Sequence, residues 1–133
     1  MIVSGKEYKI EIIVTEADTA RAVGSGELNV LATPKMCAMM EEAAYKCIAL
    51  DLEAGASSVG TMLNIKHVSA TPVGMRAWAV ATVTAVDGRK ISFDLKAYDE
   101  KGLIGEGTHE RFVVYSEKFI DKTYAKLNQK TSR

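Results

Sequence analysis

One predicted helix constrains the fold of this chain more than any other feature. It begins at Thr33-Pro34, because Thr is a good N-cap and Pro suits the first helical position, where an N–H has no intrahelical partner. Residues 35–53 contain no Gly or Pro and are rich in Met, Ala and Glu, and Gly55 is placed to end the helix. On a helical wheel the polar arc is narrow and holds Glu42, Lys46 and Glu53. A helix that is apolar over most of its surface must be wrapped by other elements.

After this helix the apolar residues alternate with a period of two, which predicts β-strands. Asp87-Gly88 is a hairpin signal, since the tight turn that joins two adjacent strands requires positive φ angles. Another strand is predicted before the helix, and residues 16–32 predict a loop with one short helical turn. The strands are expected at about residues 6–15, 58–69, 75–86, 90–99 and 103–115.

The chain offers one antiparallel sheet to cover the long central helix, so we predict an α+β fold with the sheet wrapped around that helix. At 133 residues we expect a single domain over residues 1–133. Its last part, residues 118–133, is expected to form a packed terminal helix and a frayed tail from Lys130. Four apolar residues have helical spacing there, namely Phe119, Ile120, Tyr124 and Leu127. An open edge of the sheet favours pairing with a second copy, so we expect a homodimer or a higher assembly.

The charged residues balance, with 17 Lys and Arg against 17 Asp and Glu, so the net charge is zero. A general nucleic-acid binder needs a surplus of cations, so that class is not expected. No apolar run approaches the roughly 18 residues that span a bilayer, and the N-terminus does not resemble a secretory signal, so we expect no membrane partner. Cys37 and Cys47 lie about 15 Å apart along one helix, which is too far for a disulfide bond. Free thiols fit a reducing compartment, and we expect a cytoplasmic protein.

Glu41 breaks the pattern of the predicted helix. On the wheel it lies between Ile48 and Leu52, away from its acidic neighbour Glu42. A carboxylate in that position must be desolvated, paired or facing a cleft, because glutamate is rarely buried without a partner. Two interpretations stay open: a glutamate at the helix border whose carboxylate reaches solvent, or a functional acid–base group.

His67 is the same kind of exception on a strand. It shares a strand face with Leu63 and Ile65, so it points the same way as apolar residues. A lone histidine on such a face is more often a hydrogen-bonded core residue than a catalytic one. Neither His67 nor His109 has a second ligand at metal-binding spacing, and we expect no metal site.

Thr33 also has two interpretations. Capping the helix is a sufficient structural role for its hydroxyl. The same position places the hydroxyl about 12 Å before Glu41 along the helix axis, next to N-terminal amides that suit an oxyanion or a thioester carbonyl.

Four segments carry a more specific signal. They are Val30-Leu-Ala-Thr33-Pro34 leading into the helix with Glu41, Ser57-Ser-Val-Gly60-Thr61 through His67, Thr71-Pro72-Val-Gly74-Met75, and Gly107-Thr-His-Glu-Arg111. Eight residues separate Thr33 from Glu41, and twenty-six separate Glu41 from His67. In these segments and this spacing, over about residues 6–115, the chain resembles the fluoroacetyl-CoA thioesterase-like family of hotdog proteins.

The resemblance implies a hotdog fold, a homodimer and hydrolysis of an acyl-CoA thioester at or near the subunit interface. It implies that Thr33, Glu41 and His67 are catalytic, with Glu41 as nucleophile or as general base for water and His67 as its acid–base partner. It also implies that Gly60, through its backbone, and Arg111 contact the substrate. No cofactor is expected, since coenzyme A is part of the substrate.

The loop before the helix departs from the fluoroacetyl-specific member of that family, which has an aromatic lid there. Residues 23–27 contain no Phe, Tyr or Trp, so a generic short- or medium-chain acyl-CoA is the expected substrate. Two other functions stay open: a non-catalytic module that binds an acyl-CoA or another small acyl ligand, and, less favoured, a hotdog hydratase or dehydratase.

Overall fold

The computed structural model describes residues 1–128, so the predicted frayed tail from Lys130 to Arg133 lies outside the described residues. The described chain contains five strands and three α-helices, with a short 3-10 turn after the first strand and another after the last helix. In chain order the elements are β1 (Glu7–Ile13), a 3-10 turn (Glu16–Asp18), α1 (Ala20–Val23), α2 (Thr33–Ala49), β2 (Ala56–His67), β3 (Arg76–Asp87), β4 (Lys90–Asp99), β5 (Gly102–Tyr115), α3 (Ser116–Tyr124) and a 3-10 turn (Ala125–Leu127). The predicted strands are thus confirmed, with ends that differ by up to two residues. That residues 1–133 form a single domain stays a prediction.

The five strands form one antiparallel sheet in the order β1-β3-β4-β5-β2, and α2 packs on its inner face. One side of α2 is fully buried; its buried residues are Met36, Met39, Met40, Ala43, Ala44, Cys47 and Ile48. The facing positions of β3 are small, with Ala77, Ala79 and Ala81 all buried, so the helix approaches the sheet closely there. The predicted α+β fold, with a sheet wrapped around a long central helix, is confirmed.

The ends of α2 differ from the prediction. Ala32 is the N-cap and Thr33 is the first helical residue, so the prediction that Thr33 caps the helix was wrong. The chain entering the helix is instead held by its backbone, since the Leu31 N–H donates to Thr71 O and the Ala32 N–H donates to Asp18 O, each at 2.9 Å. The helix ends at Ala49, before the expected stop at Gly55.

The segment before α2 contains two short turns where one was predicted. Thr19 caps α1 by accepting a hydrogen bond from the Ala22 N–H at 3.2 Å. Two isolated β-bridges, Thr19 to Leu31 and Val30 to Pro72, tie this segment to the start of α2. The loop is thereby fixed over the N-terminus of the helix.

Strand β2 lies at an edge of the sheet and pairs only with β5 within the described chain. Its register shifts between Gly60 and Met62, where a β-bulge adds one residue. Met62 and Leu63 beside the bulge are 36% and 37% exposed. Exposed apolar side chains on an unpaired edge fit the expected pairing with a second copy.

The terminal helix α3 contains no buried residue, so the prediction that it packs is wrong for the described chain. Phe119 is 38% exposed and Tyr124 is 60% exposed. The physical reason is that α2 already occupies the inner face of the sheet, so that face cannot bury the apolar residues of α3.

Cys37 is half-buried and Cys47 is buried, and both are free thiols, as predicted. The cytoplasmic location stays a prediction. Among the helices within residues 1–128, none has the length and apolar character needed to cross a membrane.

Candidate active site

Thr33 and His67 form one polar cluster at the N-terminal end of α2. The Thr33 Oγ1 lies 2.7 Å from the His67 Nδ1, within hydrogen-bonding distance. Both side chains line a cavity of about 310 Å³. The rest of its lining is small or aliphatic and consists of Ala20, Ser25, Val30, Leu31, Val68, Ser69 and Ala70.

The environment of His67 keeps its ring uncharged. Burial lowers the pKa of His67 below its ordinary value, because desolvation disfavours the imidazolium. Its Nε2 is buried and has no hydrogen-bond partner within residues 1–128. At neutral pH the ring is therefore neutral, and its Nδ1 is paired with the Thr33 hydroxyl beside the cavity.

Glu41 lies in a second cluster, further along the same helix. Its side chain is half-buried, and with Gly60 and Arg111 it lines a cleft of about 430 Å³. The carboxylate therefore faces a cleft, one of the environments expected for it. Because Thr33 is eight residues earlier, the two side chains leave α2 about 12 Å apart along its axis. Within one chain, Thr33 and His67 therefore lie together, whereas Glu41 lies apart from both.

Gly60 provides the close approach between β2 and the Glu41 cluster. A Cβ on Gly60 would lie 3.0 Å from the Glu41 Oε2, 3.2 Å from the His109 Cε1 and 3.4 Å from the Arg111 Nη1. The first two distances are shorter than ordinary carbon contacts, so a side chain here would have to displace a neighbour. The backbone of Gly60 is left uncovered beside the carboxylate.

Arg111 is held by three hydrogen bonds from its guanidinium. Its Nε–H donates to Ser58 Oγ at 2.8 Å, one Nη2–H donates to Ser58 O at 2.9 Å, and one Nη1–H donates to His109 Nε2 at 3.2 Å. Arg111 is 7% exposed and takes part in none of the ion pairs found within residues 1–128. Burial lowers the pKa of this guanidinium, and the charge of Glu41 acts in the opposite direction.

Sequence reasoning assigned no role to His109, which the structure places at the centre of the second cluster. The side chain is 1% exposed and contacts Arg111. The available signal was its position two residues before Arg111 on a strand, which puts both side chains on one face.

A sheet curled around one long helix, with a Thr–His pair at one end of the helix and a glutamate beside glycine and arginine further along it, defines a hotdog-fold protein. A hot-dog-like protein from Thermanaerovibrio acidaminovorans has this fold, with a TM-score of 0.87 at 20% identity over 96% of this chain and 94% of that chain.

The chain belongs to the fluoroacetyl-CoA-specific thioesterase family, FlK, whose family model matches residues 14–117. It is 41% identical over 103 residues to the fluoroacetyl-CoA thioesterase of Streptantibioticus cattleyicolor. The aligned region covers 77% of this chain and 71% of that protein. It is also similar to a variant of the fluoroacetyl-CoA-specific thioesterase FlK solved with fluoroacetate and coenzyme A. That structure has a TM-score of 0.84 at 33% identity and covers 89% of this chain and 99% of that one.

Proposed function

We propose that this protein is an acyl-CoA thioesterase whose catalytic site is shared between two subunits of a homodimer. The observation that carries the proposal is the separation of the two clusters. Thr33 and His67 lie at one place on the chain, and Glu41 lies with Gly60 and Arg111 at another. Family membership and the relative solved with coenzyme A support thioester hydrolysis.

Pairing of two β2 edges would join the clusters. Residues seven apart in a regular strand point to opposite faces. Gly60 and His67 are seven residues apart, but the extra residue in the bulge between Gly60 and Met62 puts them on the same face of β2. Both face α2, because His67 is hydrogen bonded to Thr33 and Gly60 adjoins Glu41. A two-fold axis that crosses β2 near Asn64 then sets Gly60 opposite His67 of the partner subunit.

In the resulting site, Glu41 of one subunit acts on the thioester carbonyl bound beside Gly60. The carboxylate attacks the carbonyl carbon as a nucleophile, or takes a proton from a water molecule that attacks it. The Gly60 backbone N–H and Arg111 donate to the carbonyl oxygen as it becomes negative. The C–S bond then breaks, and coenzyme A leaves as a thiolate, which needs little protonation. On the nucleophilic route this leaves the acyl group on Glu41 as an anhydride, which a water molecule then hydrolyses to the free acid and the original carboxylate.

The partner's Thr33 and His67 complete the site from the other side. The neutral ring of His67 orients the carboxylate and exchanges protons with it, and the Thr33 hydroxyl binds the acyl group. Both residues open onto the cavity of about 310 Å³. Within residues 1–128 no Phe, Tyr or Trp lines that cavity, which supports an acyl group of short or medium length without an aromatic lid.

A panel of acyl-CoA thioesters of increasing chain length tests this function, with thiol release as the signal. The wild-type protein is expected to hydrolyse short or medium members, and Glu41→Gln to lower kcat by at least about a hundredfold. Glu117→Gln, an exposed acid on α3, is the control and should retain full activity.

Two results would contradict the proposal. Absence of hydrolysis across the panel would exclude a thioesterase. Binding of acyl-CoA without turnover, unchanged in Glu41→Gln, would indicate a non-catalytic binding module instead.

A further inference from the structure

His109 is a buried, neutral group to which the proposed mechanism gives no task. It is an inward-facing residue of β5, 1% exposed, with its ring centroid 5.8 Å from that of Phe93. A packing role would account for the contact with Phe93. It does not account for the two hydrogen bonds that the ring makes.

The partners of the ring determine its tautomer. The His109 Nδ1 lies 2.7 Å from the Met62 carbonyl oxygen, which can only accept, so Nδ1 carries the hydrogen. The His109 Nε2 lies 3.2 Å from the Arg111 Nη1, which can only donate, so Nε2 is an acceptor. Burial lowers the pKa of His109, in agreement with a neutral ring.

Within residues 1–128 this arrangement leaves two N–H groups of Arg111 without a hydrogen-bond acceptor, so both are available to the substrate. A guanidinium has five N–H donors, of which Ser58 takes two and His109 takes one. One N–H therefore stays on each Nη nitrogen. The Nη1 lies 3.4 Å from the point where a Cβ on Gly60 would be, beside the cleft that holds Glu41.

The tautomer of His109 also ties this guanidinium to the bulge. Met62 follows the extra residue of β2, so its carbonyl marks the point where the strand regains its register. One ring thereby connects the backbone of the bulge to the arginine, with one hydrogen bond on each side.

We propose that His109 is a positioning residue: in its neutral Nδ1–H tautomer it connects the Met62 carbonyl to Arg111 and holds the free Arg111 N–H groups toward the thioester oxygen. This inference rests on the proposed function for the identity of the substrate. The hydrogen-bond geometry on which it depends is a property of the chain alone.

Two variants of similar size separate positioning from packing. His109→Gln keeps an acceptor for Arg111 and a donor for the Met62 carbonyl, whereas His109→Leu keeps neither. We expect kcat to fall by about tenfold or more in His109→Leu with KM within about twofold, and to stay within about threefold of wild type in His109→Gln. Equal kcat in the wild type and His109→Leu, or equal losses in both variants, would overturn the inference.

The tautomer itself is measured by imidazole ¹³C and ¹⁵N chemical shifts, which need no turnover. In His67→Ala, His109 is the remaining histidine, so its signals are assigned directly. The expected result at pH 7 is a neutral ring with its proton on Nδ1. A protonated ring, or a neutral ring with its proton on Nε2, would overturn the inference. An inactive wild-type protein would contradict the proposed function, and the chemical shifts would then decide the geometry on their own.

Discussion

The Thr33 hydroxyl is hydrogen bonded to His67, with 2.7 Å between Oγ1 and Nδ1, across 34 residues of sequence. The bond joins the first residue of the central helix to the last residue of the edge strand. It is available because Ala32, and not Thr33, occupies the N-cap. A threonine that the sequence suits for capping is therefore oriented by a histidine at the mouth of a cavity.

Thr33→Val removes this hydroxyl at nearly constant shape, and Thr33→Ser keeps it. We expect kcat/KM to fall by about tenfold or more in Thr33→Val and to stay within about threefold in Thr33→Ser. The free energy of unfolding should fall by about 1 kcal/mol in Thr33→Val, which loses the hydrogen bond to His67, and should change little in Thr33→Ser. Urea denaturation and thiol-release assays measure the two quantities. A large loss of stability with unchanged activity would mean that the hydroxyl acts on the helix.

Stability is expected to fall as the pH is lowered through the histidine range. Burial lowers the pKa of both His67 and His109, so at mildly acidic pH the unfolded chain binds more protons than the folded chain. The contribution of the two histidines to the free energy of unfolding is complete above the pKa of histidine in the unfolded chain, about 6.5. It is lost as the pH falls from there through their lower pKa values in the folded chain. The pKa of Asp18 is lowered because hydrogen bonds from Thr15 outweigh its burial, and the pKa of Asp51 is lowered by its hydrogen bond from Lys6. These two carboxylates change the stability only in more acidic solution, below about pH 4.

Urea denaturation at pH 7.5 and 5.5 measures this dependence. The wild type should be less stable at pH 5.5, and His67→Gln should show a smaller difference. Equal stability of the wild type at the two pH values would contradict the depressed histidine pKa values.

Gly60→Ala tests the close approach at the bulge. The added methyl group would meet the Glu41 carboxylate at 3.0 Å, and that carboxylate is the flexible end of a side chain, so it moves before the backbone does. We therefore expect a folded protein with a small change in Tm and a kcat lowered by about tenfold or more, since misplaced catalytic groups are costly. Wild-type kcat in Gly60→Ala would show that the uncovered backbone is not part of the site.

Local periodicity singles out Glu41 and His67 as candidate site residues, and tertiary register decides how they are grouped. Glu41 stands out on a helical wheel, and His67 stands out on an apolar strand face, because both patterns depend only on near neighbours. The bulge at Gly60 could not be predicted, since it depends on how β2 pairs with β5. The separation of Glu41 from His67, and the place of His109 beside Arg111, follow from that pairing.

Charge on the β2 edge should separate the subunits. Met62→Glu places a carboxylate on an exposed apolar position of this edge, whereas Ile13→Glu, its control, changes a 62% exposed residue of β1 at the opposite edge. Sedimentation should show a folded monomer for Met62→Glu and a dimer for Ile13→Glu. Met62→Glu should lose acyl-CoA hydrolysis, and Ile13→Glu should keep it. A monomer with wild-type activity would contradict a site that needs two subunits.

Mixed dimers test the shared site most directly. Glu41→Ala and His67→Ala each lack one half of every site, so either variant alone should be inactive. In a dimer containing one subunit of each, Glu41 of the His67→Ala subunit meets His67 of the Glu41→Ala subunit, so one of the two sites is native. In an equal mixture after subunit exchange, half of the dimers are mixed, and each mixed dimer has one native site out of two. We therefore expect the mixture to regain about one quarter of wild-type activity. A mixture that forms mixed dimers and stays inactive would place Glu41 and His67 of one chain in the same site and contradict the account.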